Sequence, residues 1–411
     1  MTRQSVILVF ASVAAAVISY LFHPFLTAGP LGPEGIAVLG VFLSLNYMLS
    51  FPQRPVDMAL TRDISAQQAA GSPEGVRAVL WFAIKKCFWA GLLANAGLLA
   101  VSPLLARYLN LNSARPVIAA ILLADAGVLL TLFRAPLQGL LRFGQFGWVL
   151  ILDPVVRLAL GASFIHSETG VQGAMEAYVC GYLAACMLGV FFLRSFLFGR
   201  SQNPLPVKLK FSMPLPLWIY SFYMAAFVSV DVLMVKHYFG PHEAGLYIAA
   251  STLAKMSFVV IGPVGNVAYS MLCDAVARKH ELAPVFRKGL ALSMSACLAI
   301  GAVIFILPEF WIRIVYGKSF AGAAAIFPYA YLPMIPFTLI INLSHYFLAQ
   351  NKNGFVYGLL AGLAAQAGLI FFFHATLWQV ITGYAAGGVI QLALAWGAVI
   401  ASDRRKRNNL G

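Results

Sequence analysis

Phe239-Gly240-Pro241-His242-Glu243-Ala244-Gly245-Leu246-Tyr247 has an earlier counterpart in Leu31-Gly32-Pro33-Glu34-Gly35-Ile36-Ala37, and self-similarity at an offset of about 210 residues marks a duplicated chain. Each copy reads as an apolar residue, Gly-Pro, an acidic residue and a glycine that opens a helix. The helix that follows is interrupted at matching depth, by Pro52 and Pro55 in the first copy and by Gly262, Pro263 and Gly265 in the second. Proline removes a backbone donor and clashes with the preceding turn, so both helices are expected to break. Both then run into charge, at Arg62-Asp63 and from Asp274 to Lys279.

Composition says what solvent surrounds these halves. Of 411 residues, 61% are hydrophobic and only 10% charged, against about 25% charged in ordinary soluble domains. Such a chain cannot coat a globule with polar side chains, which excludes a soluble enzyme. The mean hydropathy is +0.83, and a membrane-crossing helix needs roughly 20 apolar residues. Apolar runs bounded by charge, Pro or Gly predict spans near 5–27, 35–58, 79–101, 115–138, 147–166 and 173–195. A second set of six follows near 214–237, 244–271, 288–308, 324–348, 355–375 and 379–401. The run from Val6 to Leu26 exceeds the 7–15 residues of a signal-peptide core and reads as a retained helix.

Twelve spans place both termini on one side, and 21 of the 28 Lys and Arg fall in the loops of that side. The positive-inside rule makes it cytoplasmic. The +14 net charge is then topogenic, and nucleic acid is not expected as a partner because a soluble basic face is missing. The expected organisation is an N-lobe over 1–198, a cytoplasmic linker over 199–213, a C-lobe over 214–402 and a basic tail over 403–411. The lobes would be related by a pseudo-twofold axis along the membrane normal. Duplicated halves with Gly/Pro-broken helices mark transporters that alternate access about a site between the halves. The outward connections near 102–114 and 309–323 are too short to hold a catalytic domain.

Ionisable residues inside a span are costly and are functional candidates by default. Asp153 and Arg157 are four residues apart and share a helix face, as a structural ion pair or with Arg157 turned to a cavity. Asp125 is placed to neutralise an arginine or take a proton. Asp231 is too deep to reach an interface, and Lys255, midway along its span, needs a partner or water; Asp231 is one across the helix pair. Lys236 is close enough to an end to snorkel. Arg134 and Arg142 suit a cytoplasmic vestibule or ordinary anchoring. Polar and aromatic liners include Asn46, Tyr47, Asn95, Gln138, Tyr220, Tyr223, Asn266, Tyr269, Asn342, His345 and Gln366, each of which equally serves helix–helix hydrogen bonding. The seven histidines lack metal-ligand spacing and the five cysteines lack CxxC spacing, so no metal or disulfide framework is expected. No GxxxxGK[ST] loop is present, so neither ATP drive nor a cofactor is expected. Gly354, Gly358 and Gly362 form a helix-packing stripe.

The stretch Asp231-Val232-Leu233-Met234-Val235-Lys236-His237-Tyr238-Phe239-Gly240-Pro241-His242-Glu243-Ala244-Gly245-Leu246-Tyr247-Ile248-Ala249-Ala250 resembles the seventh-to-eighth helix junction of the MOP superfamily's polysaccharide transporters. These are Wzx-type flippases of O-antigen and exopolysaccharide. Ala59-Leu60-Thr61-Arg62 resembles the matching exit of the N-lobe, although the first copy lacks the tyrosine. The resemblance implies an all-α, MATE/MOP-like bundle in a bacterial inner membrane that moves polyprenyl-pyrophosphate-linked oligosaccharide outward. It implies substrate contacts from Arg157, Lys255, Arg134, Arg142, Tyr223 and Asn266, with Asp125, Asp153 and Asp231 as coupling or ion-pair residues. Membrane lipids, H+ or Na+ and a glycan polymerase or export machinery are the partners it suggests. The alternatives are a cation-coupled drug exporter of the MATE type, which favours acidic cavity residues, and a membrane-embedded glycan polymerase or transferase, which needs a larger outward loop.

Overall fold

The computed structural model describes residues 10–19, 21–22, 31–165, 170–199 and 214–408, and every regular element among them is helical. In chain order these are α1 (Phe10–Ser19), α2 (Pro33–Leu49), α3 (Gln53–Ala69), α4 (Pro73–Tyr108), α5 (Arg115–Gly139), α6 (Phe143–Ile165), α7 (Gly170–Phe198) and α8 (Leu215–Tyr238). They continue with α9 (Pro241–Met256), α10 (Phe258–Ala277), α11 (Leu282–Ile306), α12 (Pro308–Tyr316), α13 (Ala321–Tyr331), α14 (Met334–Ala349), α15 (Phe355–Phe372) and α16 (Leu377–Asn408). Ten stretches among the described residues are long and apolar enough to cross a membrane, eleven with the bent α2–α3 pair counted as one. Residues 200–213, in the expected linker, and 409–411, in the tail, lie outside the described residues.

The duplication is visible in helix lengths. α2 has 17 residues and α9 has 16, each opening on the Gly-Pro turn. The first break falls at Pro52, where α2 and α3 diverge by 42°. The second falls at Ser257, earlier than the Gly262–Gly265 cluster suggested. Pro263 continues inside α10, and its clash with the preceding turn acts toward the N-terminus. Ser257 Oγ also donates to the Ala254 carbonyl at 2.7 Å, a local bond that competes with helix continuation.

Two compact units result: Met1–Leu31 with Val41–Ala225, and Gly32–Gly40 with Ala226–Gly411. The first turns of α2 therefore belong with the second unit, although the sequence grouped them with the first. Gly245 has no side chain, and a Cβ there would strike the backbone of Pro33; one on Gly40 would strike the Ile248 side chain. The two copies of the repeated turn pack directly on each other.

The first unit centres on Leu60, Ile64, Val79, Leu132, Leu137 and Leu193 from α3, α4, α5 and α7. Thr61 and Ser65 donate to the carbonyls of Ala135 and Gly139 at 3.4 and 3.1 Å, tying α3 to α5. α4 is longer than the 79–101 span predicted. Ser72 caps it by accepting from the Gly75 amide at 3.0 Å, with Pro73 and Glu74 in the first turn, all favourable at a helix start. Along α4, Phe88, Trp89, Leu93 and Leu104 stand exposed. A row of large apolar side chains of this length belongs in hydrocarbon, and the protein is a multi-pass membrane protein. The connection expected over 309–323 contains α12, which buries Ile312, Val315 and Tyr316 and exposes Glu309, Phe310 and Arg313, the spacing of an amphipathic helix.

In the second unit, α15 and α16 make the closest pair. A Cβ on Gly358 would meet the Leu394 carbonyl and one on Gly362 the Gln391 backbone, so the glycine stripe packs internally. Gln391 donates to Gln366 at 2.6 Å, and Gln366 donates to the Tyr384 carbonyl at 3.1 Å. Gly358→Val should cost about 1–3 kcal/mol through overpacking, measured as a lower thermal midpoint of the nanodisc-reconstituted protein than for the exposed control Leu298→Val.

Candidate functional site

Each unit holds one buried charged cluster. In the second unit, α8 places Asp231 inside the bundle at 0% exposure. On α9, Tyr247, Ser251 and Lys255 are spaced by four residues, which stacks them on one helix face. All three converge on the carboxylate. Tyr247 Oη donates to Asp231 Oδ2 at 3.0 Å and Ser251 Oγ at 2.8 Å. Lys255 Nζ lies 2.7 Å from Oδ1 and 2.8 Å from Oδ2, and donates to the Val228 carbonyl at 2.8 Å. Its ammonium also sits 5.7 Å from the centre of the Tyr384 ring, within cation–π range. The break at Ser257 puts Lys255 in the last turn of α9, where a cation is favoured. Charge in this cluster is balanced one to one.

The first unit is arranged differently. Arg157 on α6 is 7% exposed. Its Nη2 donates to Ser19 Oγ at 2.7 Å and lies 3.9 Å from Asp153 Oδ2. Its guanidinium is 4.4 Å from the Tyr178 ring centre and 5.5 Å from that of Phe22. The Gly181 position leaves room for the Asp153 carboxylate, since a Cβ there would sit 2.6 Å from Oδ1. Arg134 on α5 acts electrostatically on both Asp153 and Asp57, and Arg54 acts on Asp57 as well. Of these guanidiniums Arg157 is buried, Arg134 half-buried and Arg54 exposed, and the Arg157–Asp153 approach at 3.9 Å is the ion pair of the cluster. Gln53 Nε2, Asp57 Oδ1, Asp153 Oδ1, Arg134 Nε and Arg157 Nε are buried and make no hydrogen bond within the protein. A buried polar atom without a partner costs about 1–3 kcal/mol, so several within one connected cluster mark a place built to be met by another polar molecule.

The remaining residues named from the sequence are distributed. Arg142 stacks 5.5 Å from the Phe196 ring and Arg134 5.9 Å from that of Phe146. Asp125 is half-buried and accepts from Asn95 Nδ2 at 2.7 Å. Tyr223 is fully enclosed, at 0% exposure, with Tyr220 at 2%; neither lines an open surface in this structure. The side chain of Asn266 lies outside the described residues. Asn342 donates to the Thr338 carbonyl and accepts from Ser293, and Gln366 belongs to the α15–α16 pair, so both serve helix contacts. Lys236 corrects the snorkelling expectation. It is 2% exposed, because α8 runs on to Tyr238 and holds Lys236 against the interior of its own unit. Missed from the sequence were Asp57, Gln53, Tyr178, Ser19, Tyr247, Ser251 and Tyr384. Of these, the spacing of Tyr247, Ser251 and Lys255 was open to reading as a polar ladder.

Residues 39–325 match a family model described as polysaccharide biosynthesis protein. The chain belongs to this family. Among solved structures, an inward-facing conformation of a multidrug resistance MATE family transporter of the MOP superfamily aligns over 95% of this chain and 96% of its own, with a TM-score of 0.74 and 15% identity. An outward-facing conformation of such a MATE transporter gives 0.64 at 16% identity over 98% and 95%. A MOP transporter from Pyrococcus furiosus, described as having a binding pocket of reverse polarity that suggests a different function, gives 0.57 at 15% identity over 98% and 99%. No curated protein matches the chain. At these identities the structural matches establish the fold, and the family model establishes the kinship.

Asp231→Ala should cost about 3–5 kcal/mol by stranding the Lys255 charge. Adding Lys255→Met to it should recover part of that loss, since two apolar groups replace the pair. Thermal unfolding of the reconstituted variants checks both.

Proposed function

We propose that this transporter is a flippase that carries polyprenyl-pyrophosphate-linked oligosaccharide, an O-antigen or exopolysaccharide repeat unit, from the cytoplasmic to the outer leaflet of a bacterial inner membrane by alternating access. One observation carries the choice of cargo: the first unit buries Arg157, whose guanidinium has its nearest carboxylate, Asp153, at 3.9 Å and whose Nε makes no hydrogen bond within the protein. A buried guanidinium with donors to spare suits a pyrophosphate, which takes planar, forked donors well. It disfavours the cationic cargo of a drug exporter, which calls for excess carboxylate. In the second unit Asp231 already neutralises Lys255, which leaves the arginines of the first unit as the groups offered to an anion.

The headgroup cannot cross lipid unassisted, because desolvating each unpaired charge costs several kcal/mol. Arg134 and Arg157 replace its water, Gln53 and the two carboxylates meet sugar hydroxyls as donors and acceptors, and the prenyl tail stays in hydrocarbon. Arg142, half-buried with its guanidinium 5.5 Å from the Phe196 ring centre, adds a further basic group to the first unit. Moving about two negative charges out of a cell-negative interior gains about 2.3 kcal/mol per charge per 100 mV, a drive that requires no nucleotide. On the outer leaflet the product suits a glycan polymerase.

In proteoliposomes loaded with fluorescent polyprenyl-pyrophosphate glycan, the wild type should flip the lipid. Arg134→Gln with Arg157→Gln should slow flipping at least about tenfold, the effect of losing roughly 1.4 kcal/mol of headgroup binding, while Arg157→Lys keeps a measurable rate. Thermal midpoints confirm that the variants are folded. Wild-type flipping by the folded double variant, or transport of cationic dyes in place of the glycolipid, would sink this assignment.

A further inference from the structure

The Asp231–Lys255 cluster is complete without any cargo. Around the Lys255 ammonium stand Asp231 Oδ1 at 2.7 Å, Asp231 Oδ2 at 2.8 Å and the Val228 carbonyl at 2.8 Å, with the Tyr384 ring face at 5.7 Å. A carboxylate and a backbone carbonyl are ligands of a hard cation, and the Tyr247 and Ser251 hydroxyls, which donate to Asp231 Oδ2, hold that carboxylate in place. The fourth element, a ring face, is a general recogniser of ammonium-type charge. Asp231 is at 0% side-chain exposure and Lys255 at 12%, so the cluster reaches the protein surface along the lysine stem.

The internal repeat supplies a control for whether the helix pair needs these groups. At the offset that aligns Gly35 with Gly245, the positions matching Tyr247, Ser251 and Lys255 are Ala37, Val41 and Leu45. The first copy builds a helix of 17 residues, against 16 for α9, with apolar side chains at these three positions, Ala37 and Val41 at 0% exposure. Folding of the element therefore does not demand a polar ladder, and the ladder in α9 assembles a cation shell that the first copy lacks.

We propose that the second unit contains a monovalent-cation site and that Lys255 is its tethered occupant. The side chain fills the place that Na+, K+ or a small ammonium ion would otherwise take, so the native carrier exchanges no alkali cation there. Cutting Lys255 back to alanine opens the site to solution. The geometry of the cluster carries this inference independently of which cargo the first unit selects.

The test compares wild type, Lys255→Ala, and Lys255→Ala with Asp231→Asn, each reconstituted in nanodiscs. Thermal midpoints are measured in choline chloride and during replacement of choline by Na+, K+, ammonium, methylammonium or ethylammonium at constant ionic strength. A ligand that binds only the folded state raises the midpoint saturably. Wild type should be indifferent to the exchange. Lys255→Ala should melt lower in choline and gain several degrees, saturably, from at least one small cation. The double variant should lose that response, because the carboxylate charge is gone. A saturable Na+ or K+ shift in the wild type would overturn the proposal, as would a folded Lys255→Ala protein that ignores every small cation. Failure of Lys255→Ala to accumulate in any of these salts would also overturn it, since a real cation pocket refills from solution. None of these readouts requires transport, so they stand or fall apart from the flippase assignment.

Discussion

A carboxylate sealed from water must collect donors from the protein around it, and Asp231 organises much of the second unit on those terms. At 0% exposure it draws bonds from three successive turns of α9. That requirement fixes the rotation of α9 about its own axis, since only one face carries Tyr247, Ser251 and Lys255. It also accounts for the place of the break at Ser257. An ammonium in the last turn of a helix here reaches both the carboxylate and the Val228 carbonyl of the neighbouring helix.

The first unit meets the same constraint incompletely. Its charges are shared: Asp153 lies near both Arg157 and Arg134, and Asp57 near both Arg134 and Arg54. Aromatic faces from Tyr178 and Phe22 take up part of the Arg157 charge. Even so, Asp57 Oδ1, Asp153 Oδ1, Arg134 Nε and Arg157 Nε remain buried without a hydrogen-bond partner in the protein. One cluster is closed, with a carboxylate matched to an ammonium, and the other leaves charged groups incompletely bonded. The duplicated scaffold thus carries two different electrostatic arrangements.

Some of this was legible in the chain. The i,i+4 spacing of Asp153 and Arg157 announced their pairing, and Asp231 and Lys255, two charges too deep to reach an interface, were each other's candidate partners because a charge in lipid needs a partner or water. Asp57 escaped notice because it sits at the end of an apolar run, beside Arg54 and Met58, where a charge normally marks an exit from the membrane. The 42° bend at Pro52 and the extension of α3 to Ala69 keep it inside the unit instead. Lys236 misled for the reciprocal reason: its distance from a helix end permitted snorkelling, but burial depends on which face a neighbour covers.

Sequence alone determined the solvent, the helical class and the duplication, because hydropathy, basic-residue asymmetry and the Gly-Pro turns are properties of local stretches. Tertiary structure alone decided the company each charge keeps. Whether Arg157 rests on Tyr178, whether Lys255 is neutralised, and whether the start of α2 packs on α9 depend on helix rotation and approach. Those are set by contacts between residues hundreds of positions apart, such as Pro33 with Gly245, which no local pattern encodes.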